Sequence, residues 1–317
     1  MADIKLLHDL RARLGNVIVG QEALLDRLVI ALLAGGHVLL EGPPGLAKTT
    51  VVHALATSVD AQYQRVQFTP DLIPGDLTGS DIYDASTGTF RFIPGPLFHE
   101  ILLADEINRA PPKVQSALLE AMAEHQVTVG GVTRVLPLLF MVLATQNPLE
   151  QSGTYRLPEA QLDRFLFQII LDYPDLEQEI EISRRARKAH VEEGLTAVLK
   201  PVDILASREQ VNDVFIDEKI ERYAVEVVTA TRNLSKYLPQ WGEMIQTGAS
   251  PRASIALLRS AMARAFLDDR DYVIPEDVIE LAGDVLRHRI VLDFSAQAED
   301  INADTIISSL LNTISQP

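Results

Sequence analysis

Apolar residues at Ile4, Leu7, Leu10 and Leu14 recur at the three-to-four-residue spacing that places them on one helical face, and Leu24, Leu25, Leu28 and Ile30 to Leu32 repeat the pattern. The chain is expected to open with two helices. From His37 to Leu40 the pattern changes to a short unbroken apolar run, bounded by Gly35-Gly36 and Gly42-Pro43-Pro44, as a strand buried on both faces requires. Similar runs follow at Val66 to Phe68, Ile101 to Ala104, Leu138 to Ala144 and Phe167 to Leu171, with helical patterns such as Val114 to Ala123 between several of them. Strands alternating with helices imply a parallel sheet covered on both faces.

Two segments interrupt that alternation. Asp81-Ile82-Tyr83 and Thr89 to Phe92 flank Ser86-Thr87-Gly88, while Gln126 to Val129 and Val132 to Val135 flank Gly130-Gly131, so both read as β-hairpins. After about Pro174 the strand signal ends. Helical spacing returns in Ile220 to Leu234, Arg252 to Leu267 and Val278 to Leu286, near turn or capping signals such as Ser250-Pro251 and Pro275-Glu276-Asp277. The expected organisation is an α/β domain over 1–174, then a smaller all-helical domain within 175–317, joined somewhere in Val191 to Ser207. No fixed-period repeat or low-complexity tract is visible.

Composition narrows the class. With 317 residues, 47% hydrophobic and 23% charged, the chain is long enough for two globular domains and unlike a disordered or fibrous one. The lack of cysteine removes disulfides, thiolate nucleophiles, iron–sulfur clusters and cysteine-held zinc. Charge is acidic, 28 − 44 = −16, and a split after Asp175 leaves each part at −8 (12 − 20 and 16 − 24). With no basic half to neutralise phosphates, a nucleic-acid role is disfavoured. Met1 to Leu14 has no basic stretch leading into an apolar signal core, and the longest uncharged apolar run, Leu28 to Leu40, falls short of the roughly 20 residues that span a bilayer. A cytoplasmic protein without membrane insertion is expected. The seven histidines show no metal-ligand spacing, and Arg184, Arg185, Arg187 and Lys188 follow Glu177, Glu179 and Glu181 as a salt-bridged helical face would.

The candidate chemistry lies at the ends of two strands. Gly42 to Thr50 follows the His37 to Leu40 run and opens a helical pattern. Gly42 and Gly45 would turn backbone N–H groups toward phosphates, Lys48 would neutralise them, and the Thr49 hydroxyl would hold Mg²⁺. Ala47 stands where glycine is usual and adds one methyl near the phosphates. An ordinary Gly/Pro turn into a helix is the plain alternative. The apolar strand Ile101 to Ala104 ends in Asp105-Glu106. Asp105 would hold Mg²⁺ through water at the strand's C-terminal end, and Glu106 would act as general base on the attacking water; a merely solvated acid pair is the alternative.

Together these stretches resemble the AAA+ ATPases, and among them the MoxR family, over Asn16 to Leu267. The resemblance is carried by Val19-Gly20-Gln21, Gly42 to Thr49, Phe68-Thr69-Pro70-Asp71-Leu72 with Pro74, Asp105 to Ala110, Ala144 to Pro148, Leu157 to Phe165 and Ser250-Pro251-Arg252. It implies a P-loop AAA+ fold: a three-layer αβα core with a parallel sheet and inserted β-hairpins, then a smaller all-α lid domain. It further implies ATP with Mg²⁺, the latter at Thr49 and Asp105, and a homo-oligomeric, hexameric ring. Such a chaperone-like motor would remodel or activate a client complex together with a von Willebrand factor A domain protein.

Residue by residue, the resemblance assigns nucleotide binding to Gly42, Pro43, Pro44, Gly45, Leu46, Ala47, Lys48, Thr49 and Thr50, and an adenine-packing segment to Val19-Gly20. Alanine at position 47 is frequent in this family. Asn147 matches sensor 1, Arg164 the arginine finger directed at the next subunit, and Arg252 sensor 2. A turn at Asn147-Pro148, a pair between Arg164 and Asp163 or Glu159, and a plain surface charge at Arg252 are the respective alternatives. Competing functions are a magnesium-chelatase-like subunit driving metal insertion, a nucleotide-gated scaffold with little turnover, and a helicase or clamp loader, which the acidic balance disfavours.

Overall fold

Periodicity and apolar run length reappear as elements in the computed structural model, which describes residues 4–43, 45–46, 48–147, 153–187 and 196–317. Expectations placed on Pro44, Ala47, Pro148, Lys188 and the linker from Val191 to 195 lie outside the described residues. The chain divides into two units, one of 5–157 with 169–205, the other of Ile4, 158–168 and 206–317.

The first unit opens with the two expected helices, α1 (Ile4–Val17) and α2 (Glu22–Ala34), followed by β1 (Val38–Glu41), α3 (Lys48–Ser58) and β2 (Tyr63–Gln67). A short α4 (Pro74–Thr78) leads into the first hairpin, β3 (Gly79–Asp84) and β4 (Thr89–Pro94). After β5 (Ile101–Asp105) come α5 (Pro112–Glu124), the second hairpin of β6 (Gln126–Val129) and β7 (Val132–Val135), and β8 (Met141–Gln146). Arg134 on β7 ties the two hairpins together, its guanidinium 3.8 Å from the Phe92 ring centroid and 3.5 Å from the Asp81 carboxylate.

Beyond α6 (Glu159–Leu162), β9 (Phe167–Ile170) completes a five-stranded sheet in the order β2-β5-β8-β1-β9. The β2–β5, β5–β8 and β8–β1 pairs are parallel. The three inner strands are buried through their apolar residues, whereas β2 at the edge is half-exposed. This is why the inner strands read as long apolar runs, whereas β2, legible only as Val66 to Phe68, spans Tyr63–Gln67 with polar residues interleaved.

Register matters more for function than strand count. Gln67 pairs with Asp105, Ala104 with Ala144, Leu40 with Thr145 and Glu41 with Gln146, so the C-terminal ends of four strands finish at one level. Ligands of open α/β sheets bind at that edge. The run read from Leu138 enters the sheet only at Met141, and Leu138 itself is 78% exposed; pairing with Ile101 sets the start and carries the strand on to Thr145 and Gln146. His37 is structural: its Nδ1 accepts the Val142 N–H at 3.0 Å, leaving Nε2 to donate toward the Met122 carbonyl at 3.3 Å. In α7 (Leu176–Arg187), Arg185 pairs with Glu181 at 2.9 Å, the expected salt-bridged face, and also donates to the Asn16 carbonyl.

The second unit is helical. It takes in the end of α8 (Pro201–Asn212), then α9 (Glu218–Ala230), α10 (Leu234–Tyr237), α11 (Pro251–Leu267), α12 (Pro275–Leu286), α13 (Phe294–Ala298) and α14 (Ala303–Thr313). A short antiparallel ribbon of β10 (Ile245–Thr247) and β11 (Val291–Leu292) is added to the helices. The helix read as Ile220 to Leu234 stops at Ala230, because the Thr231 hydroxyl donates to the Val228 carbonyl and accepts the Ala249 N–H, turning the chain. Caps behave as the sequence suggests: the Ser250 hydroxyl accepts the Arg252 N–H, and the Asp277 carboxylate accepts the Ile274 N–H. Asp277 also takes a bidentate pair from Arg270 at 2.6 and 2.8 Å.

Candidate active site

The loop between β1 and α3 is shaped by close approach. A Cβ on Gly42 would lie 2.7 Å from the Leu171 carbonyl oxygen, so no side chain fits there without moving backbone. Gly45 takes φ +86°, a left-handed conformation that favours glycine. Lys48 starts α3, and its Nζ donates to the Gly42 carbonyl at 2.6 Å. Burial pulls the ammonium pKa below the ordinary lysine value, against the fields of Asp105, Glu41 and Glu106, which act to raise it.

Asp105 is the last residue of β5, and both of its oxygens are used. Oδ1 accepts the Thr145 hydroxyl at 2.6 Å, while Oδ2 accepts the Arg65 guanidinium at 2.6 and 3.1 Å. Glu106 follows with φ 57° and ψ 50°, a left-handed backbone that costs a non-glycine residue of order 1 kcal/mol and concentrates at functional sites. Its N–H donates to Thr145 Oγ1 at 2.8 Å, so one buried hydroxyl orients both acids. The Glu106 carboxylate accepts Gln67 Nε2 at 2.5 Å and pairs with Arg109 at 3.1 Å.

These groups converge on a cleft of about 410 Å³. Gly45, Leu46, Lys48, Thr49 and Thr50 line one side; Asp105, Glu106, Thr145, Gln146 and Asn147 line the other. Gly42 stands behind the lining and contributes its carbonyl to Lys48. Val19 is half-buried and Gly20 exposed, and neither is among the residues lining the cleft; Gly20, at φ +74°, lies against the Gln178 side chain. Arg164 and Arg252 belong to the helical unit, where Arg164 is half-buried behind α6 and Arg252, 59% exposed at the start of α11, comes within 3.9 Å of Asp163.

Sequence reasoning did not single out Thr145, Arg65, Gln67 or Arg109 by role. A signal existed for three of them. Thr145 is the hydroxyl within an otherwise apolar strand end, and Arg65 and Gln67 occupy alternate positions of the strand beside Asp105. The donor set suits a nucleoside polyphosphate with a hard cation: backbone amides of a glycine turn opening a helix, one ammonium, three threonine hydroxyls and two carboxylates. Among the described residues no group of three or more His, Cys, Asp or Glu gathers to hold a metal, so a cation here would share its ligands with the phosphates.

Comparison with known proteins assigns this arrangement. Residues 37–167 match the ATPase family associated with various cellular activities (AAA), and 242–310 match the AAA lid domain. The chain is 44% identical over 325 residues to the chaperone MoxR1 of Mycobacterium tuberculosis, covering 100% of this chain and 84% of that one. It belongs to the MoxR family of AAA+ ATPases. This MoxR-family protein is also 46% identical to the uncharacterized protein YeaC of Bacillus subtilis, across 96% of its own length and 92% of YeaC. A solved structure of a protein from Cytophaga hutchinsonii superposes with a TM-score of 0.93 at 47% identity, covering 99% of this chain and 96% of that one. The MoxR-family fold, an α/β P-loop core plus a helical lid, is therefore the one present. No helix among its described residues is long and apolar enough to cross a membrane.

Proposed function

We propose that this chaperone-like ATPase binds ATP with Mg²⁺ in the β5–β8 edge cleft and hydrolyses it to ADP and phosphate. The observation that carries the reading is that Lys48, Asp105, Glu106 and Thr145 line one cleft at the edge where the strand register ends β1, β5 and β8 together. Loop amides from Gly45 onward to Thr50 and the Lys48 ammonium bind the phosphates, since Pro43 and Pro44 carry no N–H. Thr49 and Asp105 would hold Mg²⁺, which when bound neutralises phosphate charge. Glu106 accepts the proton of the water whose oxygen bonds to the terminal phosphorus as the bond to the bridging oxygen of ADP breaks, and Asn147 orients that water.

In this reading residues 1–174 form the nucleotide core and 175–317 the linker and lid, Val19-Gly20 packs against adenine, and Arg252 reports the nucleotide state. Arg164 of one subunit acts on the phosphates of the next in a homo-hexameric ring. The ring works in the cytoplasm, with a von Willebrand factor A domain protein, on a protein client and not on nucleic acid. The chaperone name of its mycobacterial relative supports the class of work.

Titrating Mg-ATP into the wild type and Lys48→Ala by calorimetry tests the site. Binding lost in the variant is expected; equal affinity would reject the loop assignment. A second reading, a nucleotide-gated scaffold with little turnover, is favoured by one observation: Gln67 and Arg109 occupy the Glu106 carboxylate. Gln67→Ala should raise turnover if that tie restrains the base, and unchanged or lower turnover would show that it does not.

A further inference from the structure

Arg289 is almost wholly buried, its side chain 3% exposed, in the single turn that follows α12. A guanidinium has five N–H donors in a fixed fork, and here five contacts use them. Nε donates to Asp163 Oδ1 at 2.8 Å. One terminal nitrogen reaches the Leu166 carbonyl at 3.2 Å and also the Val285 carbonyl. The other reaches the Asp163 carbonyl at 3.3 Å and the Phe165 carbonyl at 2.5 Å.

The two residues before it add to the clamp. His288 Nε2 lies 3.0 Å from the Phe165 carbonyl, and Arg287 donates to the Gln168 carbonyl at 2.5 Å. Ser250 Oγ, at the α11 cap, donates to Asp163 Oδ2 at 2.8 Å. The backbone is therefore gripped at 163, 165, 166 and 168, on both sides of Arg164. All of these residues belong to one unit.

A buried ion pair is a weak source of stability, because desolvation offsets most of its attraction and an apolar pair of similar volume does as well. What a saturated, planar guanidinium supplies is geometry. We propose that Arg289 is a positioning residue that fixes the Asp163–Phe165 turn so that Arg164 is presented at a set place to the neighbouring subunit. The inference rests on the trans-finger reading given above. Arg289 touches no nucleotide; it acts through Arg164. Arg289 and the Asp163–Phe165 turn lie in the same compact unit, so the clamp and the finger stay together.

The test uses the full-length protein and Arg289→Lys, which keeps the charge but offers three donors in place of five. ATP affinity should stay within about twofold while kcat falls about tenfold or more, since misplacement by about 1 Å can cost up to about 100-fold. Mixing is the decisive readout. Lys48→Ala subunits carry an intact Arg289 and Arg164, so they should restore activity both to Arg289→Lys subunits and to Arg164→Ala subunits, whereas mixing Arg289→Lys with Arg164→Ala should restore none.

Asp163→Asn, which keeps the side-chain shape, is carried in parallel in case the lysine variant does not fold, and thermal melting confirms folding of each. Full kcat in a folded variant, or a loss that Lys48→Ala subunits fail to rescue while rescuing Arg164→Ala, would overturn the inference. If Arg164→Ala itself is not rescued where subunit exchange is demonstrated, the trans-finger reading falls first and this inference with it.

Discussion

Lys48 sits in the fields of Asp105, Glu41 and Glu106, yet burial outweighs them and holds its pKa below the ordinary lysine value. Bound phosphates would add negative charge beside it and raise that pKa again. Binding should then take up a proton at alkaline pH, and affinity should weaken as pH rises from the lowered unbound pKa toward the higher bound one. Calorimetry of Mg-ATP in two buffers of different ionisation enthalpy measures that uptake; identical heats throughout the alkaline range would contradict it. Thr145→Val removes one hydroxyl that serves both acids, and buried charge-assisted hydrogen bonds of this kind are worth about 1–3 kcal/mol. Lower thermal stability together with a lower kcat is expected, read by melting and steady-state turnover, and unchanged values would remove Thr145 from the account. Lys48, Asp105 and Glu106 were legible because their spacing to glycines and to a strand end is distinctive. Arg65, Gln67 and Thr145 stood out only as polar positions of strands and not by role, since a single strand does not reveal which neighbour its polar side chains will face.

At the scale of elements, the buried strands and both hairpins could be read directly, because apolar run length and glycine turns are local signals. Helix α8 could not: Pro201–Asn212 carries no sustained apolar stripe, and it starts inside the stretch assigned to the linker. The β10–β11 ribbon, three residues against two, is too short to leave any period. The turn after α12 makes its own prediction. Burial first, then the adjacent Arg289, holds the His288 pKa well below the ordinary histidine value, so the imidazole is neutral in the folded lid and Nε2 carries the hydrogen toward Phe165. A base whose folded pKa is depressed leaves stability intact above its unfolded value, near 6.5, and loses it as pH falls below that, because the unfolded chain takes up the proton. Melting between about pH 7 and pH 5 should show a steeper loss in the wild type than in His288→Gln. Parallel curves would show that His288 does not titrate on unfolding.

At the scale of the whole molecule, the proposed ring makes activity depend on association, because Arg164 has its phosphate only in a neighbouring subunit. If nucleotide prefers the assembled state, specific activity should rise with protein concentration and ATP should favour the ring, as linkage requires. Sedimentation with and without Mg-ATP reads this, and full specific activity from a monomer would contradict it. The most direct measurement for the central claim is phosphate release from Mg-ATP by the wild type and by Glu106→Gln, with ATP affinity determined on the same samples. The account predicts that the wild type turns over and that Glu106→Gln binds ATP as tightly while releasing phosphate at least about 100-fold more slowly, as loss of a general base does. Undiminished phosphate release by Glu106→Gln would contradict it.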